Sequence, residues 1–437
     1  MTTIFAPITA IGKAGVSVIR ISGPEAADCL RYFGITKNLE ERKALLRKII
    51  NPKTGNIIDI ALLTIFPAPN SFTGEDVVEI ALHSSPYILK TIFELLCEVE
   101  NVRLAEPGEF SKIAFLNDKM DLVEAEALSD LIASETAIQH QQALNQMQGN
   151  LSKIYDNWRA ELINISANIE AYIDFPDQDL PENIVDDLEN QVKKIIEEVE
   201  SHLHDNKRGE KIRTGLSLAI IGPTNAGKSS LINYLAKSEI AIVSNIAGTT
   251  RDIVETHLEI AGIPVIIADT AGIRETNDEI EIEGIKRAIK KAENADLKIL
   301  ILDATDLKNW PKIDDQTLLI INKIDKAKNE IPDFLKKFNP IQISIKENIN
   351  LDKLLNTLEN QVKELASPGS TPLITRARYR EALNEMLENL SYFSLTKNIE
   401  LAAEDLRLAI RAIGKITGKV DVDEILDKIF AGFCIGK

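Results

Sequence analysis

The 437-residue sequence has little cysteine. Its three cysteines, Cys29, Cys97 and Cys434, lie far apart, and no C-x-x-C pair or regular cysteine spacing is present. This pattern argues against a disulfide framework and against a cysteine-based zinc module. The five histidines are scattered, and His202 and His204, two apart on a predicted helix, would point to different sides. The sequence therefore does not predict a histidine metal centre.

Long apolar runs are also lacking. The longest, such as Leu216–Ile221 and Leu297–Leu302, are much shorter than the roughly 20 residues that cross a bilayer. No positively charged, apolar signal segment opens the chain, so we expect a cytoplasmic protein that does not enter a membrane. An excess of basic residues is absent too, because the formal net charge is −17. Nucleic-acid binding depends on local Lys and Arg, so an RNA substrate would need a local basic patch or a basic partner.

The chain is longer than one hydrophobic core usually organises, so we expect several domains. Residues 1–118 mix strand-like and helix-like runs separated by turn signals, which predicts an α+β domain. In residues 1–118 the predicted strands are Val16–Ile21, Ile57–Phe66 and Asp76–Ala81, and the predicted helices are Pro24–Phe33 and Tyr87–Val99.

Residues 119–212 are predicted to be helical, because apolar residues from Leu151 to Tyr172 recur every three or four positions and a second amphipathic helix covers Ile184–Leu203.

Residues 213–368 alternate apolar strand-like runs with helical segments, which favours a largely parallel sheet covered by helices. Residues 369–437 are predicted to be helical again. The simplest account is an α/β domain inserted into one helical domain. The predicted strands of the α/β domain are Leu216–Ile221, Val265–Ala268, Lys298–Leu302, Leu318–Ile321 and Ile341–Ile343.

A phosphate-binding loop is predicted where Gly222-Pro-Thr-Asn-Ala-Gly-Lys-Ser229 matches G-x-x-x-x-G-K-S. The loop follows one predicted strand and precedes the helical run Ser230–Ala236, which is the required context. Its backbone N–H groups and the helix N-terminus would hold phosphate oxygens. We expect Lys228 to reach the β- and γ-phosphates and Ser229 to bind Mg²⁺.

Three further segments complete a guanine-nucleotide site, in the correct order and each after a predicted strand. Asp269 could hold the Mg²⁺ shell, and the Gly272 N–H could sense the γ-phosphate. Asp325 could accept from guanine N1–H and the N2 amino group together, whereas adenine would leave the carboxylate unpaired. The segments are Asp269-Thr270-Ala271-Gly272, Asn322-Lys323-Ile324-Asp325 and Ser344-Ile345-Lys346.

The route of hydrolysis differs from that of many Ras-like GTPases, which have a glutamine directly after the second segment. Here that residue is Ile273, so either hydrolysis is slow or other groups supply the chemistry. Asn225 and the oxygen-rich stretch Ser244–Asp252 could hold a monovalent cation that stabilises transition-state charge. Glu281 could orient water, or it could be an ordinary surface acid.

The whole chain resembles the MnmE (TrmE) family of tRNA-modification GTPases. The most specific segments lie outside the predicted GTPase domain. His83-Ser-Ser-Pro86 and Ser244 depart modestly from the family pattern. The segments that carry the resemblance are Val18–Gly23, Asn70–Asp76, Pro107–Phe110, Phe115–Lys119 and Phe433-Cys434-Ile435-Gly436-Lys437.

The resemblance implies a folate-binding, dimerising amino-terminal domain, a helical domain and an inserted Ras-like P-loop GTPase domain. It implies Mg²⁺ ligands at Ser229 and Thr250, a catalytic role for Glu281, and a less defined role for Arg274. Potassium contacts are implied at Asn225, Ser244, Ile246 and Thr249, and folate contacts at Arg20, Glu79, Lys119 and Lys437. The implied GTP contacts are Asn225, Ala226, Gly227, Lys228, Ser229, Ser230, Ser244, Asn245, Ile246, Ala247, Gly248, Thr249, Thr250, Asp269, Thr270, Ala271, Gly272, Asn322, Lys323, Asp325, Ser344, Ile345 and Lys346.

The resemblance also implies partners and a reaction. A homodimer would join the flavoprotein MnmG (GidA), which carries FAD, in a heterotetramer. Together they would add an aminomethyl or carboxymethylaminomethyl group at C5 of the wobble uridine, U34, of certain tRNAs. The one-carbon unit would come from 5,10-methylenetetrahydrofolate, for which 5-formyltetrahydrofolate is an analogue, while GTP hydrolysis would drive dimerisation of the GTPase domains. Cys434 could assist near the folate carbon or simply anchor the tail. The alternative function is a GTP-gated switch or ribosome-assembly scaffold without folate chemistry.

Overall fold

A computed structural model describes residues 2–36, 39–174, 182–237, 255–268, 294–307, 313–314, 317–327, 330–367, 369, 372–396, 398–420, 423–434 and 436. The chain divides into two compact units, residues 1–129 with 413–437 and residues 130–412. Across these described ranges, every helix is too short or too polar to cross a membrane.

The first unit contains a six-stranded sheet in the order β3-β4-β5-β2-β1-β6. Neighbouring strands are antiparallel except β1 and β6, which are parallel. Three strands, β2, β4 and β5, were predicted, and the sequence pattern missed the other three. The strands are β1 Thr3–Pro7, β2 Ala14–Ser22, β3 Leu45–Ile50, β4 Ile57–Phe66, β5 Val77–Ser84 and β6 Val102–Leu104.

The two faces of this sheet differ. Ile19, Ile21 and Ile80 point into a buried core together with the apolar sides of two helices, Ala26–Tyr32 and Pro86–Leu96. Pro86 occupies the first turn of its helix, where a missing N–H costs nothing. Side chains alternate along a strand, so the residues between these point to the opposite face. This unit also contains the helices Glu109–Leu116 and Asp423–Ala431, most of the helix Leu122–Ala133, and residues 413–417 of the helix Ile399–Thr417.

The second unit is rich in helices. The predicted apolar stripe forms the helix Asn150–Asp174, with Leu151, Trp158, Leu162 and Ile169 buried along one side. The second predicted helix is also confirmed, at Glu182–Leu203. The other helices are Ala137–Met147, Arg208–Thr214, Lys228–Lys237, Asp333–Lys336, Leu351–Ala366 and Ala377–Tyr392, with a 3₁₀ turn at Ile324–Lys326.

The sheet of the second unit has the order β12-β11-β10-β7-β9-β8. Five strands are parallel, as predicted, and only β8 runs antiparallel to its neighbour β9. The carboxyl ends of the five parallel strands therefore meet at one edge, which is where ligands bind in open α/β sheets. The predicted fold class is confirmed. The strands are β7 Leu216–Ile221, β8 Glu255–Ile260, β9 Ile263–Ala268, β10 Leu297–Asp303, β11 Thr317–Asn322 and β12 Ile341–Gln342.

Both faces of this sheet are apolar. Leu218 and Ile220 of β7 join a buried cluster with the helix Leu351–Ala366, while Leu300 and Leu319 pack on the other side with Leu335. Strands buried on both sides carry continuous apolar runs rather than alternating ones. This is why β7, β10 and β11 could be predicted from the sequence.

Candidate functional site

The predicted phosphate loop connects β7 to the helix Lys228–Lys237. At Gly222 the backbone has φ +150°, and an added Cβ would lie 2.1 Å from the carbonyl oxygen of Ile301. At Gly227, with φ +109°, an added Cβ would lie 2.3 Å from Nδ2 of Asn322. Glycine is therefore required at both positions, because the loop lies directly against the ends of β10 and β11.

Lys228 lies across its own loop. Its Nζ donates to the carbonyl oxygens of Gly222 at 2.7 Å and Pro223 at 2.8 Å. The ammonium group is thus held beside the backbone that would cradle the phosphates. A phosphate oxygen would be a stronger acceptor than these neutral carbonyls, because charge-assisted hydrogen bonds are the stronger kind. Ser229 follows as an exposed residue in the first turn of the helix, at its positive end.

Asn322 ties three chain segments together at the end of β11. Its side chain is only 3% exposed. Its Nδ2 donates to the carbonyl oxygen of Ala226 at 2.9 Å, and its Oδ1 accepts from the backbone N–H of Ile345 at 3.3 Å. One buried amide therefore fixes the phosphate loop relative to the two segments predicted to contact the base.

Lys323 adds a second tie to the same loop. Its Nζ donates to the carbonyl oxygen of Asn225 at 2.7 Å and to Oδ2 of Asp303 at 2.6 Å. Burial alone would raise the pKa of the Asp303 carboxyl, but hydrogen bonds from Lys323 and Thr305 outweigh it and lower that pKa. Asp303 was not predicted from the sequence, although an acid at the end of a parallel strand was a usable signal.

Asp325 is oriented by the last of the predicted segments. Its Oδ1 accepts from the hydroxyl of Ser344 at 2.6 Å, and that serine is fully buried. The hydroxyl oxygen in turn accepts from the backbone N–H of Glu347 at 3.2 Å. A carboxylate held in one orientation is suited to accept two parallel hydrogen bonds from a guanine edge.

These groups surround an open cleft of about 870 Å³, which we call the nucleotide cleft. The structure brings together the predicted residues 225–230, 322–325 and 344–346. The cleft is lined by Thr224, Asn225, Gly227, Lys228, Ser229, Ser230, Asn322, Lys323, Asp325, Lys326, Ser344, Ile345 and Lys346. The other predicted residues of this site lie outside the described residues: Ser244, Asn245, Ile246, Ala247, Gly248, Thr249, Thr250, Asp269, Thr270, Ala271, Gly272, Arg274 and Glu281.

The first unit places Arg20 and Glu79 side by side. They are cross-strand partners on β2 and β5, and both Nε and Nη2 of Arg20 donate to Oε1 of Glu79, at 3.0 and 2.8 Å. The guanidinium group also lies over the ring of Phe72, 4.7 Å from its centroid. This stacking and pairing hold the arginine in place on a half-buried face.

Lys119 and the chain end lie in the same unit. Lys119 is exposed and packs along Gly74, where an added Cβ would lie 3.1 Å from Cε of the lysine. Gly436 is buried against β1, and a Cβ there would lie 2.1 Å from the carbonyl oxygen of Pro7. We call Arg20, Glu79 and Lys119 the amino-terminal site; Lys437, the fourth predicted folate contact, lies outside the described residues.

Cys434 is exposed, and its carbonyl oxygen accepts from the backbone N–H of Gly108 at 3.3 Å. Backbone contacts therefore hold the tail at both Cys434 and Gly436. The hydrogen bond at Cys434 is made by its backbone carbonyl, not by its thiol.

Known proteins resemble both units. A family model described as the MnmE helical domain matches residues 122–434, and one described as the GTP-binding protein TrmE N-terminus matches residues 3–119. The chain is 48% identical to the tRNA modification GTPase MnmE of Rickettsia typhi and 47% identical to that of Rickettsia akari, with 100% of each chain covered.

Among solved structures, it resembles the FeoB G-domain of Methanococcus jannaschii at 28% identity. That match covers 34% of this chain and 98% of the other, with a TM-score of 0.26. The full-length match to the curated relatives and the match of the helical-domain model to more than half of the chain show the family. The chain therefore belongs to the MnmE family of tRNA modification GTPases.

Proposed function

We propose that this GTPase works with the flavoprotein MnmG to add an aminomethyl or carboxymethylaminomethyl group at C5 of the wobble uridine, U34, of certain tRNAs. The proposal that the protein binds GTP is supported by the nucleotide cleft, where three separated segments meet around Lys228 and Asp325. The family membership carries the tRNA part, since its relatives are named tRNA modification GTPases.

The cleft fits a guanine nucleotide with Mg²⁺. Backbone N–H groups of the phosphate loop and the start of its helix would receive phosphate oxygens, with Lys228 adding positive charge. The hydroxyl oxygen of Ser229 is a suitable ligand for a hard cation such as Mg²⁺, and Thr250 would supply a second one. Asp325 would select guanine over adenine.

Hydrolysis would need groups other than a glutamine, because Ile273 occupies that position. Asn225, exposed on the phosphate loop with φ +64°, offers a side-chain oxygen to a potassium ion. Ser244, Ile246 and Thr249 would complete the ligand set, and the bound cation would supply positive charge near the phosphates. Glu281 would orient the attacking water, with Arg274 assisting.

The amino-terminal site fits a reduced folate. The pterin edge offers paired N–H donors, which suit the Glu79 carboxylate that Arg20 already orients. Lys119 and Lys437 would attract the acidic glutamate tail. A bound 5,10-methylenetetrahydrofolate would supply the one-carbon unit, and Cys434 would lie near it on the tail.

The assembly we propose is a cytoplasmic homodimer joined by MnmG, which carries FAD, in a heterotetramer. The net charge of −17 supports a division of labour in which the partner provides most of the tRNA-binding surface. The proposed domains are residues 1–118, 119–212, 213–368 and 369–437, with the GTPase domain inserted in the helical one. GTP hydrolysis would drive two GTPase domains together and apart.

The cation role is tested by measuring GTP turnover of the full-length protein in potassium and in sodium at equal ionic strength. We expect potassium to increase kcat by about tenfold or more, because a positive charge near the phosphates stabilises the transition state. Equal rates in the two salts would count against the cation mechanism.

The folate role is tested by titrating the full-length protein with 5-formyltetrahydrofolate in a calorimeter. Binding that survives removal of GTP supports a separate folate site. Absence of binding, combined with normal GTP turnover, would instead favour a GTP-gated switch or a ribosome-assembly scaffold. Analysis of wobble uridines in cells with and without the gene then decides between those functions.

A further inference from the structure

Two stretches of chain lead into and out of the sheet that carries the nucleotide cleft. The first is the helix Arg208–Thr214, which runs into β7, and the second is residues 372–376, which run into the helix Ala377–Tyr392. We call them the crossings. A Cβ added at Gly209 would lie 2.4 Å from the carbonyl oxygen of Ile374, and Nε of Arg213 donates to the carbonyl oxygen of Thr375 at 2.8 Å. The crossings are therefore fastened to each other.

The helix Ala137–Met147 is tied to both crossings by three glutamines, Gln139, Gln142 and Gln146, which we call the glutamine row. Their spacing of three and four residues places them on one face of the helix. Gln139 Nε2 donates to the carbonyl oxygen of Arg213 at 3.1 Å, and Gln142 Nε2 donates to that of Gly209 at 3.0 Å. Gln146 Oε1 accepts from the hydroxyl of Thr375 at 3.0 Å.

The beginning of the same helix contacts the hairpin of β8 and β9. Ile138 packs against the core of the nucleotide-binding sheet, and its Cδ1 lies 3.3 Å from where a Cβ on Gly262 would be. Nδ1 of His257, on β8, lies 3.8 Å from Oε2 of Glu135. The helix therefore contacts the hairpin at its start and the crossings along its glutamine face.

In the chain, this hairpin lies between two segments that the sequence predicts to be near the phosphates. The oxygen-rich stretch 244–252 precedes β8, and Asp269 directly follows the last residue of β9. A change at the γ-phosphate that moved either segment would act on the hairpin through this covalent connection. Ile138 is the point at which such a movement would reach the helix that carries the glutamine row.

Gln139 also fixes the start of that helix. Its Oε1 accepts from the backbone N–H of Thr136 at 3.2 Å, while its own N–H donates to the Thr136 hydroxyl. This capping box fixes the first turn of the helix, so a displacement at Ile138 would be passed to the rest of the helix. The buried Oε1 of Gln142 has no hydrogen-bond partner among the described residues, and a cavity of about 610 Å³ lies beside it. In a second arrangement of the crossings, this oxygen could accept a hydrogen bond, and the cavity would provide space for the movement.

The geometry points to Gln139, Gln142 and Gln146 as positioning residues that couple the state of the guanine nucleotide to the helices flanking the GTPase sheet. None of the three lines the nucleotide cleft. They act by holding the crossings to a helix whose start senses the β8–β9 hairpin. This inference rests on the proposed function, because it needs GTP and GDP to produce different states of that hairpin.

The test measures hydrogen–deuterium exchange of the full-length protein with GDP and with a non-hydrolysable GTP analogue. In the unmodified protein, exchange in residues 137–147 and 377–392 should differ by about fivefold or more between the two nucleotides. The Gln139→Glu/Gln142→Glu variant keeps side-chain shape but replaces both amide donors by acceptors facing carbonyl oxygens. There the difference should fall below about twofold, while protection of the phosphate loop by nucleotide persists.

A matched control, Gln141→Glu/Gln148→Glu, places the same two charges at exposed positions along the same stretch, away from the row. It should keep the full nucleotide-dependent difference. If the row variant fails to fold by circular dichroism, Ile138→Ala tests the hairpin contact instead and should also reduce the difference.

Three results are decisive against the idea. A row variant that folds and keeps the full difference overturns the coupling role, as does an unmodified protein whose phosphate loop is protected while residues 137–147 do not respond. Loss of the difference in the exposed control would show a non-specific charge effect. A phosphate loop that neither nucleotide protects would overturn the proposed function itself.

Discussion

The nucleotide cleft and the amino-terminal site hold their polar side chains in different ways. In the cleft, Asn322 and Ser344 are buried and bonded to backbone or to a neighbouring site residue. In the amino-terminal site, Arg20 and Glu79 hold each other across two strands on a half-buried face. The polar groups of the cleft are therefore held by buried contacts from three segments, whereas two of the three residues of the amino-terminal site are held by one ion pair.

The two sites should therefore differ in how much stability the protein loses when one of their residues is substituted. A buried amide or hydroxyl that loses its partner leaves an unsatisfied group, which costs more than the net contribution of the bond. A partly exposed ion pair can exchange its partner for water, so its loss costs less stability. We therefore expect substitutions in the cleft to affect both folding and affinity, and substitutions in the amino-terminal site to affect mainly ligand binding.

The largest effect should come from Asp325→Asn. The amide offers a donor where guanine also presents donors, so GTP affinity should fall by about 100-fold or more. Equilibrium binding of a fluorescent GTP analogue measures this. Xanthosine triphosphate, whose O2 can accept from the new amide, should regain affinity. The control Asp306→Asn lies on an exposed loop and should change neither value. Unchanged base preference in Asp325→Asn would break the assignment of this residue to the base.

The second-largest effect is expected from Asn322→Asp. The substitution keeps shape but removes the donor to Ala226 and places a charged oxygen against its carbonyl oxygen. We expect the free energy of unfolding to drop by about 1–3 kcal/mol, measured by urea denaturation, together with weaker nucleotide binding. Asn356→Ala, at an exposed position on the helix Leu351–Ala366, is the control. A stable variant with normal GTP affinity would show that this buried tie does not organise the cleft.

Arg20→Lys tests the expectation that substitutions in the amino-terminal site affect ligand binding more than stability. Lysine keeps the charge but loses the two-pronged bond to Glu79, so affinity for 5-formyltetrahydrofolate should fall by about tenfold in calorimetry. The urea midpoint should barely change. Arg103→Lys, in the more exposed pair with Glu109, should leave folate binding intact. A large loss of stability with unchanged folate affinity would reverse the proposed difference between the two sites.

Ser344→Ala should have the smallest effect. It removes the hydroxyl that orients Asp325 but leaves the carboxylate in place, so GTP affinity should decrease by about five- to tenfold. The preference for guanine over adenine should remain, as measured by competition binding. Ser391→Ala, at an exposed position near a helix end, serves as the control. Lost base preference would mean that orientation, and not only the presence of the carboxylate, determines specificity.

The segments of the cleft could be recognised from local sequence, whereas the residues of the amino-terminal site could not, for a physical reason. The elements of the cleft are short contiguous segments at the ends of apolar strands, and chemistry fixes the spacing inside each segment. Arg20, Glu79 and Lys119 lie on separate elements, and no local spacing connects them, so only family resemblance suggested them. Strands β1, β3 and β6 escaped prediction because they are short or because their sequences lack a clear alternation of apolar and polar residues.

The sequence by itself determined that a guanine-nucleotide site exists, that Ile273 cannot position water, and that helices flank a parallel sheet, because local spacing and periodicity encode each of these. Only the tertiary structure decided that Asn322 joins three segments, that Lys323 contacts Asp303, and that a row of glutamines meets both crossings. These contacts link residues from 20 to 229 positions apart. Packing brings such residues together, and no pattern within a single segment carries that information.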